Sequence, residues 1–120
     1  TAANSTVTLN LHGASQDGLA TLAELAPGVW YHIAFTLDSS RNIVLYVNGV
    51  SNRTATHGIT DWTPSSGDAN LPLAIGTLYP YGEGWGGVAG HAIDAKMDDI
   101  RVYGRTLTAA EVRTLYDIGR

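Results

Sequence analysis

The chain has 120 residues, of which 44% are hydrophobic and 15% are charged, and its formal net charge is −4. This composition is typical of one folded domain rather than a disordered tail, and an acidic chain with scattered basic residues argues against a nucleic-acid partner. The absence of cysteine excludes disulfides and thiolate metal sites, and no apolar run is long enough to span a membrane.

The first quarter of the chain shows one clear strand pattern, and a stronger one follows. Residues 6–11 alternate apolar and polar side chains and predict a strand, followed by a loop over residues 12–17. Residues 19–25 fit either a helix or a short strand. Residues 29–37 give the strongest pattern, and because both of their faces are largely apolar we expect a central strand covered on both sides.

A hairpin is predicted after this strand. Residues 43–48 alternate again and should pair antiparallel with residues 29–37. Asn48 and Gly49 both tolerate positive φ, which makes them a strong hairpin signal. Residues 50–55 are the predicted partner strand on the far side of this turn.

Two long loops flank the next predicted strand. Residues 57–70 are rich in glycine, threonine, serine, aspartate and proline, which are typical of loops. Residues 71–75 predict a short strand. Residues 76–91 contain six glycines and three aromatic residues, which indicates a flexible loop that carries aromatic side chains.

The C-terminal segment begins with a predicted strand over residues 95–103. Ile100 and Val102 are apolar and alternate with Asp98, so all three should point to one face. A buried carboxylate without partners is very costly. We therefore expect Asp98 to be mostly buried and either hydrogen-bonded or bound to a metal ion.

A capped helix follows this segment. Thr108 and Glu111 have the Thr-x-x-Glu spacing of a capping box, in which each side chain accepts a hydrogen bond from the backbone N–H of the other residue. The pattern predicts that residues 109–117 form the only substantial helix of the chain.

Three motifs, in this order, resemble the LamG-like jelly-roll domains of the concanavalin A-like lectin/glucanase superfamily. Residues 28–50 contain Trp-x-His-x-Ala and then Tyr-x-Asn-Gly, and residues 73–76 read Leu-Ala-Ile-Gly. Residues 97–116 read Met-Asp-Asp-Ile-Arg-Val-Tyr, then Leu-Thr-x-x-Glu-Val and Leu-Tyr. The resemblance covers roughly residues 28–118.

The resemblance implies an all-β fold, an antiparallel jelly-roll β-sandwich with one short C-terminal helix. It implies a single LamG-like domain over residues 1–120. Such domains usually place more strands before the Trp-x-His strand than this chain supplies. We therefore expect an incomplete, C-terminal portion of the domain, completed by a longer polypeptide, by strand addition from a second chain, or by a homodimer.

A catalytic role is not expected for this chain. Glycosidases of the superfamily use paired carboxylates, with the signature Glu-x-Asp-x-x-Glu on one strand. The only glutamates are Glu24, Glu83 and Glu111, which are far apart in sequence. One alternative is that the chain is the C-terminal part of a glycosidase whose catalytic residues lie upstream.

Aromatic side chains in the two long loops are the candidate ligand-binding residues. Rigid aromatic rings provide platforms for ligands, and sugar rings stack their apolar faces on them. The candidates are Trp62 in the first loop and Tyr79, Tyr81 and Trp85 in the second. The alternative is that these side chains fold back and cap the end of the sandwich.

Asp94 and Asp98 are the candidate metal ligands. Many LamG-like domains hold calcium at one edge of the sandwich, and calcium prefers carboxylate and carbonyl oxygens. Calcium is therefore the candidate cofactor. In the alternative interpretation, Asp99 pairs with Arg101 on the outer face and Asp98 accepts backbone hydrogen bonds.

Other residues are expected to be structural. His32 occupies the Trp-x-His position and should be a hydrogen-bonded structural residue. His57 and Asp61 have a spacing that suits a metal, although histidines in loops are more often solvated. Trp30 and Tyr46 belong to predicted strands and should pack in the core.

The function predicted from these residues is a non-catalytic, lectin-like carbohydrate-binding module of a larger extracellular or secreted protein. Its ligand would be a polysaccharide or another glycan. A protein-interaction or structural adhesion domain without sugar binding is the alternative, because this superfold hosts lectins, glycosidases and adhesion modules alike.

Overall fold

A computed structural model describes residues 6–12, 16–20, 24–63, 75–76 and 94–119. These residues form a mostly β structure with one short C-terminal helix. The elements are β1 (Thr8–His12), β2 (Gln16–Ala20), β3 (Ile33–Leu37), β4 (Asn42–Val47), β5 (Val50–Thr56) and α1 (Ala109–Gly119). Within these ranges, no helix is long and apolar enough to cross a membrane.

The central unit is an antiparallel sheet in the order β3-β4-β5. Ile33 lies opposite Val47 and Leu37 opposite Ile43, so the hairpin predicted from alternation is confirmed, although β3 starts four residues later than expected. The turn between β4 and β5 is formed by Asn48 at φ +51° and Gly49 at φ +74°. Both angles are positive, as a type I′ hairpin turn requires.

A second antiparallel pair, β1-β2, shares one core with this sheet. Leu11 and Leu19 from the pair join Ile43 and Leu45 of β4, together with Ile59 just after β5. Ile43 and Leu45 are two residues apart and therefore point to the same face of β4. Complete burial of such a side chain contributes about 1.5–3 kcal/mol, so this face holds the two layers together.

The start of β2 corrects one prediction. The sequence predicted a loop over residues 12–17, whereas Gln16 and Asp17 pair with His12 and Leu11 in the β1-β2 ladder. An antiparallel ladder is favoured here because its two strands are separated by only three residues in sequence, so the entropic cost of bringing them together is small. The predicted strand over residues 71–75 lies outside the described residues except for its last position.

The helix α1 begins as its capping box predicted. The backbone N–H of Thr108 donates to Glu111 Oε2 at 2.8 Å, and the N–H of Glu111 donates to Thr108 Oγ1 at 3.2 Å. Two N–H groups that the helix would leave unpaired are thereby satisfied. Val112 is completely buried, and α1 contacts β5.

The β4–β5 turn and α1 approach each other closely at Gly49. A Cβ atom added to Gly49 would lie 3.0 Å from both Arg113 Cδ and Tyr116 Cβ. The Tyr116 ring also lies under the Arg113 guanidinium, 5.3 Å from it, and 6.0 Å from the His32 ring. Glycine is therefore required at this turn both for its φ and for the space that the helix occupies.

The predicted strand over residues 95–103 is wrong. None of these residues lies in a strand, and all of them are exposed. Asp99 has φ +56°, the left-handed conformation that aspartate tolerates better than most residues, and this interrupts the extended run. The segment is attached to the sheet farther on, where the Thr106 hydroxyl donates to the Leu37 carbonyl.

Candidate functional site

The loop after β5 presents Trp62 to solvent. The side chain is 51% exposed, and its ring meets the His57 ring edge-on, with 5.1 Å between the ring centroids and 70° between the planes. Edge-to-face contacts of this kind are favourable for aromatic rings. Trp62 is therefore an aromatic side chain that contacts His57 and leaves about half of its surface available to a ligand such as a sugar ring.

His57 is the buried side chain that contacts the Trp62 ring. It is only 3% exposed, and its backbone N–H donates to the Arg41 carbonyl at 3.0 Å, which ties the loop to the β3–β4 turn. Its Nδ1 atom is buried and has no hydrogen-bond partner among the described residues. The expectation that His57 is solvated, as loop histidines usually are, is thus wrong, because the Trp62 ring and the turn cover it.

Two carboxylates belong to the loop that carries this pair and to the turn bound to it. The Asp61 carboxylate accepts the Thr63 N–H at 2.8 Å, and hydrogen bonds from the Thr63 side chain and backbone lower the pKa of Asp61. Asp38 lies in the β3–β4 turn, whose Arg41 carbonyl accepts the His57 N–H, and hydrogen bonds lower the pKa of Asp38 as well. Both groups are therefore ionised at neutral pH.

The β3–β4 turn is organised by Asp38 itself. Its Oδ1 atom accepts the N–H groups of Ser40 at 2.8 Å and Asn42 at 2.9 Å, and its Oδ2 atom accepts the Asn42 side-chain amide at 2.8 Å. The hydrogen bonds from Asn42 are the main cause of the lowered pKa of Asp38. This local network fixes the turn to which the His57 backbone is bound.

The other predicted sugar-binding residues, Tyr79, Tyr81 and Trp85, lie outside the described residues. Trp62 is thus the member of the predicted set whose surroundings are known. The sequence did not predict that His57 contacts Trp62 or that His57 is bound to the turn that carries Asp38. Both features depend on contacts between residues that are distant in sequence, and no local pattern indicates them.

The candidate metal ligands Asp94 and Asp98 are both exposed. The burial predicted for Asp98 is wrong, because the segment that carries it is not part of a sheet; its Oδ1 atom accepts the Asp99 N–H at 2.8 Å. Asp99 pairs with Arg101 at 3.2 Å, as the alternative interpretation proposed. Within the described ranges, no three histidine or acidic residues are grouped to hold a metal, so nothing here supports calcium, which stays a prediction.

Two further side chains differ from expectation. Trp30 was expected in the core but is 67% exposed, because it precedes β3 and nothing described packs over it, whereas Tyr46 is buried as predicted. The His32 Nδ1 atom is buried without a partner in the described part of the chain, so this histidine is not fully hydrogen-bonded. Burial, and secondarily the Arg101 charge, lowers the pKa of His32.

An open cavity of about 320 Å³ lies between the segment Tyr103–Leu107 and α1. Its lining is mostly apolar, and its two charged residues bind each other, with Arg105 Nη2 2.7 Å from Glu111 Oε1. Because these charges are already paired, the cavity offers a ligand less than the Trp62 surface does.

The fold is similar to that of a solved structure. The chain is similar to the crystal structure of residues 221–444 of an S-layer domain-containing protein from Clostridium thermocellum, with a TM-score of 0.58 and 21% sequence identity. The match covers 92% of this chain and 51% of that chain, so the chain spans about half the length of this relative, and at this identity the likeness concerns the fold alone. No curated protein matches the sequence.

The sequence model of one family, Laminin_G_3, matches residues 2–113, and it is described as the concanavalin A-like lectin/glucanases superfamily. Because this match extends over nearly the whole chain, the protein belongs to the concanavalin A-like lectin/glucanase superfamily.

Proposed function

We propose that the chain is a non-catalytic carbohydrate-binding module of a larger extracellular protein. The observation that carries this proposal is the Trp62 ring, half exposed and supported from within by the buried His57. An aromatic ring that is fixed before the ligand arrives loses little conformational freedom on binding, which favours affinity. Tyr79, Tyr81 and Trp85 are proposed to extend the same sugar-binding surface.

Membership of the superfamily supports this proposal, since lectins are among its members, and it also supports a jelly-roll sandwich as the complete fold. The likeness to an S-layer domain-containing protein is consistent with a place at the cell surface or outside the cell. A non-catalytic role is proposed because the sequence lacks the paired-carboxylate signature of the glycosidases.

Affinity electrophoresis in gels that contain soluble polysaccharides tests the sugar-binding role. Trp62→Ala should lose retention with only a small fall in melting temperature, because half of the ring is exposed and its one described ring contact is with His57. Trp30→Ala is the matched control, since Trp30 is exposed as well but lies before β3. If Trp62→Ala loses stability together with retention, or if retention is unchanged, Trp62 is not a binding residue.

Trp85→Ala is the same test for the second loop. We expect it to abolish retention while the melting temperature is nearly unchanged. A combined loss of retention and stability would mean that Trp85 packs in the core.

A protein-interaction or structural role is the second candidate, and a different surface favours it. In the described part of the chain, β3 is an edge strand, and apolar side chains are exposed both just before it and in the C-terminal segment: Val29, Trp30, Ile100, Val102 and Tyr103. Open strand edges and exposed apolar patches are typical of surfaces that pair with another polypeptide. A glycan array with no ligand, together with a stable complex or homodimer, would favour this role over sugar binding.

A further inference from the structure

We infer that the Trp62 surface takes uncharged polysaccharides and rejects polyanionic ones such as alginate and heparin. This inference rests on the proposed sugar-binding function and deepens it, because it names the class of ligand. It follows from the charges that surround the aromatic ring rather than from the ring itself, since a stacking surface alone accepts the apolar face of many sugars.

Among the described residues, two carboxylates belong to the Trp62 loop and to the turn that is bound to it. Asp61 precedes Trp62 in the chain, and its carboxylate accepts the N–H of Thr63, the residue that follows, so this charge is held within one residue of Trp62. Asp38 is the second carboxylate; it accepts the Asn42 N–H in the β3–β4 turn, whose Arg41 carbonyl accepts the His57 N–H. Hydrogen bonds lower the pKa of both groups, which keeps them ionised at neutral pH, where polysaccharide carboxylates and sulfates are ionised as well.

The nearby positive charge does not reverse this balance. Arg41 is the cation in the β3–β4 turn, where its carbonyl accepts the His57 N–H, and it offsets one of the two carboxylates. Arg53 lies on β5, four residues before His57 and therefore about 13 Å from it along the extended strand. Three further arginines belong to the C-terminal segment and α1, and each is in an ion pair: Arg101 with Asp99, Arg105 with Glu111 and Arg113 with Asp117. The whole chain carries a net charge of −4, so the long-range field also repels a polyanion.

The buried His57 links the Trp62 ring to the β3–β4 turn. Its side chain contacts Trp62 and its backbone is bound to the turn that carries Asp38 and Arg41, so ring and charges are held in one unit. A polyanion that stacks on Trp62 would therefore bring its charges close to two fixed carboxylates, whereas an uncharged glycan would bring hydroxyl groups that can donate hydrogen bonds to the same oxygens.

Affinity electrophoresis of the whole chain against two groups of polysaccharides tests the inference. The uncharged group is a soluble β-glucan, xylan and galactomannan; the polyanionic group is alginate and heparin. We expect Trp62-dependent retention by at least one uncharged polysaccharide and binding to the polyanions that is about tenfold weaker at low salt. Raising sodium chloride from about 20 to about 500 mM should strengthen the residual polyanion binding, because salt screens repulsion.

Asp61→Asn tests the cause, since the amide oxygen can still accept the Thr63 N–H while the charge is lost. The ratio of alginate affinity to β-glucan affinity should rise several-fold in this variant. Asp117→Asn on α1 is the matched control, because it changes the net charge equally and should leave the ratio as it is. An unchanged ratio in Asp61→Asn would overturn the electrostatic explanation.

The remaining outcomes separate the two levels of the proposal. Tight heparin or alginate binding that weakens with salt and disappears in Trp62→Ala would overturn the ligand class and support sugar binding. Absence of retention by every polysaccharide, or retention that Trp62→Ala does not change, would overturn the proposed function at this surface and the inference with it.

Discussion

The β4 strand and the segment Met97–Tyr103 both contain apolar residues at alternate positions, but only β4 is part of a sheet and buries them. In β4, Ile43 and Leu45 are buried between two sheet layers, and the strand has a hydrogen-bonded neighbour on each side. In the C-terminal segment, Ile100 and Val102 are exposed, and no ladder is formed. Alternation therefore specifies which face of an extended segment is apolar, but a strand exists only where a second strand pairs with it.

The largest expected effect is self-association of the isolated chain through its exposed apolar residues. Because β3 is an edge strand in the described structure and apolar residues are exposed both just before it and in the C-terminal segment, the isolated chain should self-associate or be only marginally stable. Sedimentation equilibrium should give a mass above the 12.7 kDa of one chain, with dissociation on dilution. A monomer at every concentration with a high melting temperature would show that the exposed residues need no partner.

The next prediction compares the loss of stability caused by truncating one apolar side chain in each of the two segments. Leu45 is completely buried, so Leu45→Ala should lower the free energy of unfolding by about 2–5 kcal/mol. Val102 is 75% exposed, and Val102→Ala should change the free energy of unfolding by less than about 0.5 kcal/mol. Urea unfolding at a concentration at which the chain is monomeric makes the comparison, and similar losses in both variants would mean that Val102 is buried in solution.

The features that could be predicted from the sequence are local ones. The Asn48-Gly49 turn and the Thr108–Glu111 capping box each depend on residues within four positions, and both form as predicted. The register beside the turn follows from the turn itself, with Val47 opposite Val50, whereas the bulge between Leu45 and Tyr46 shifts the pairing farther along the ladder and was not predicted.

The features that could not be predicted depend on distant contacts. His57 is buried because Trp62 and the Arg41 carbonyl lie against it, and no pattern around His57 announces either contact. Asp98 was placed inside by alternation, but the left-handed conformation of Asp99 ends the extended run. For the candidate site, the sequence therefore predicted the aromatic residue Trp62 but not the burial of His57 against it or the bond from His57 to the turn that carries Asp38.

A smaller effect tests the contact between the sheet and the helix. Gly28 and Gly49 have nearly equal φ values of +77° and +74°, but only Gly49 faces other atoms, those of Arg113 and Tyr116. Gly28→Ala should cost about 1–2 kcal/mol for the left-handed backbone alone. Gly49→Ala should cost more than Gly28→Ala, because the new methyl group also displaces the helix.

Urea midpoints of the two glycine variants give this difference. Far-ultraviolet circular dichroism of Gly49→Ala would additionally show whether the helix moves or melts. Equal losses of stability in the two variants would mean that α1 does not pack on the β4–β5 turn in solution.

The smallest expected effect is the pH dependence contributed by the helix cap. The Arg105 guanidinium, followed by the Thr108 N–H, lowers the pKa of Glu111 from 4.5 to about 2. A carboxyl group whose pKa is lower in the folded state stabilises the fold fully above the unfolded value and loses this contribution as the pH falls through the folded value. The stabilisation should therefore be complete above pH 4.5 and decline between about pH 4.5 and pH 2.

Glu111→Gln isolates that contribution, because glutamine can still accept the Thr108 N–H but carries no charge to pair with Arg105. Thermal melting of both proteins between pH 6 and pH 2 should show the wild type more stable near neutral pH, with the difference shrinking as Glu111 becomes protonated. Because Asp38 and Asp61 titrate in both proteins, only the difference between the two melting curves reports on Glu111. A difference that stays constant over this range would mean that the Arg105–Glu111 pair is not formed in solution, and that the capping box depends on hydrogen bonds rather than on charge.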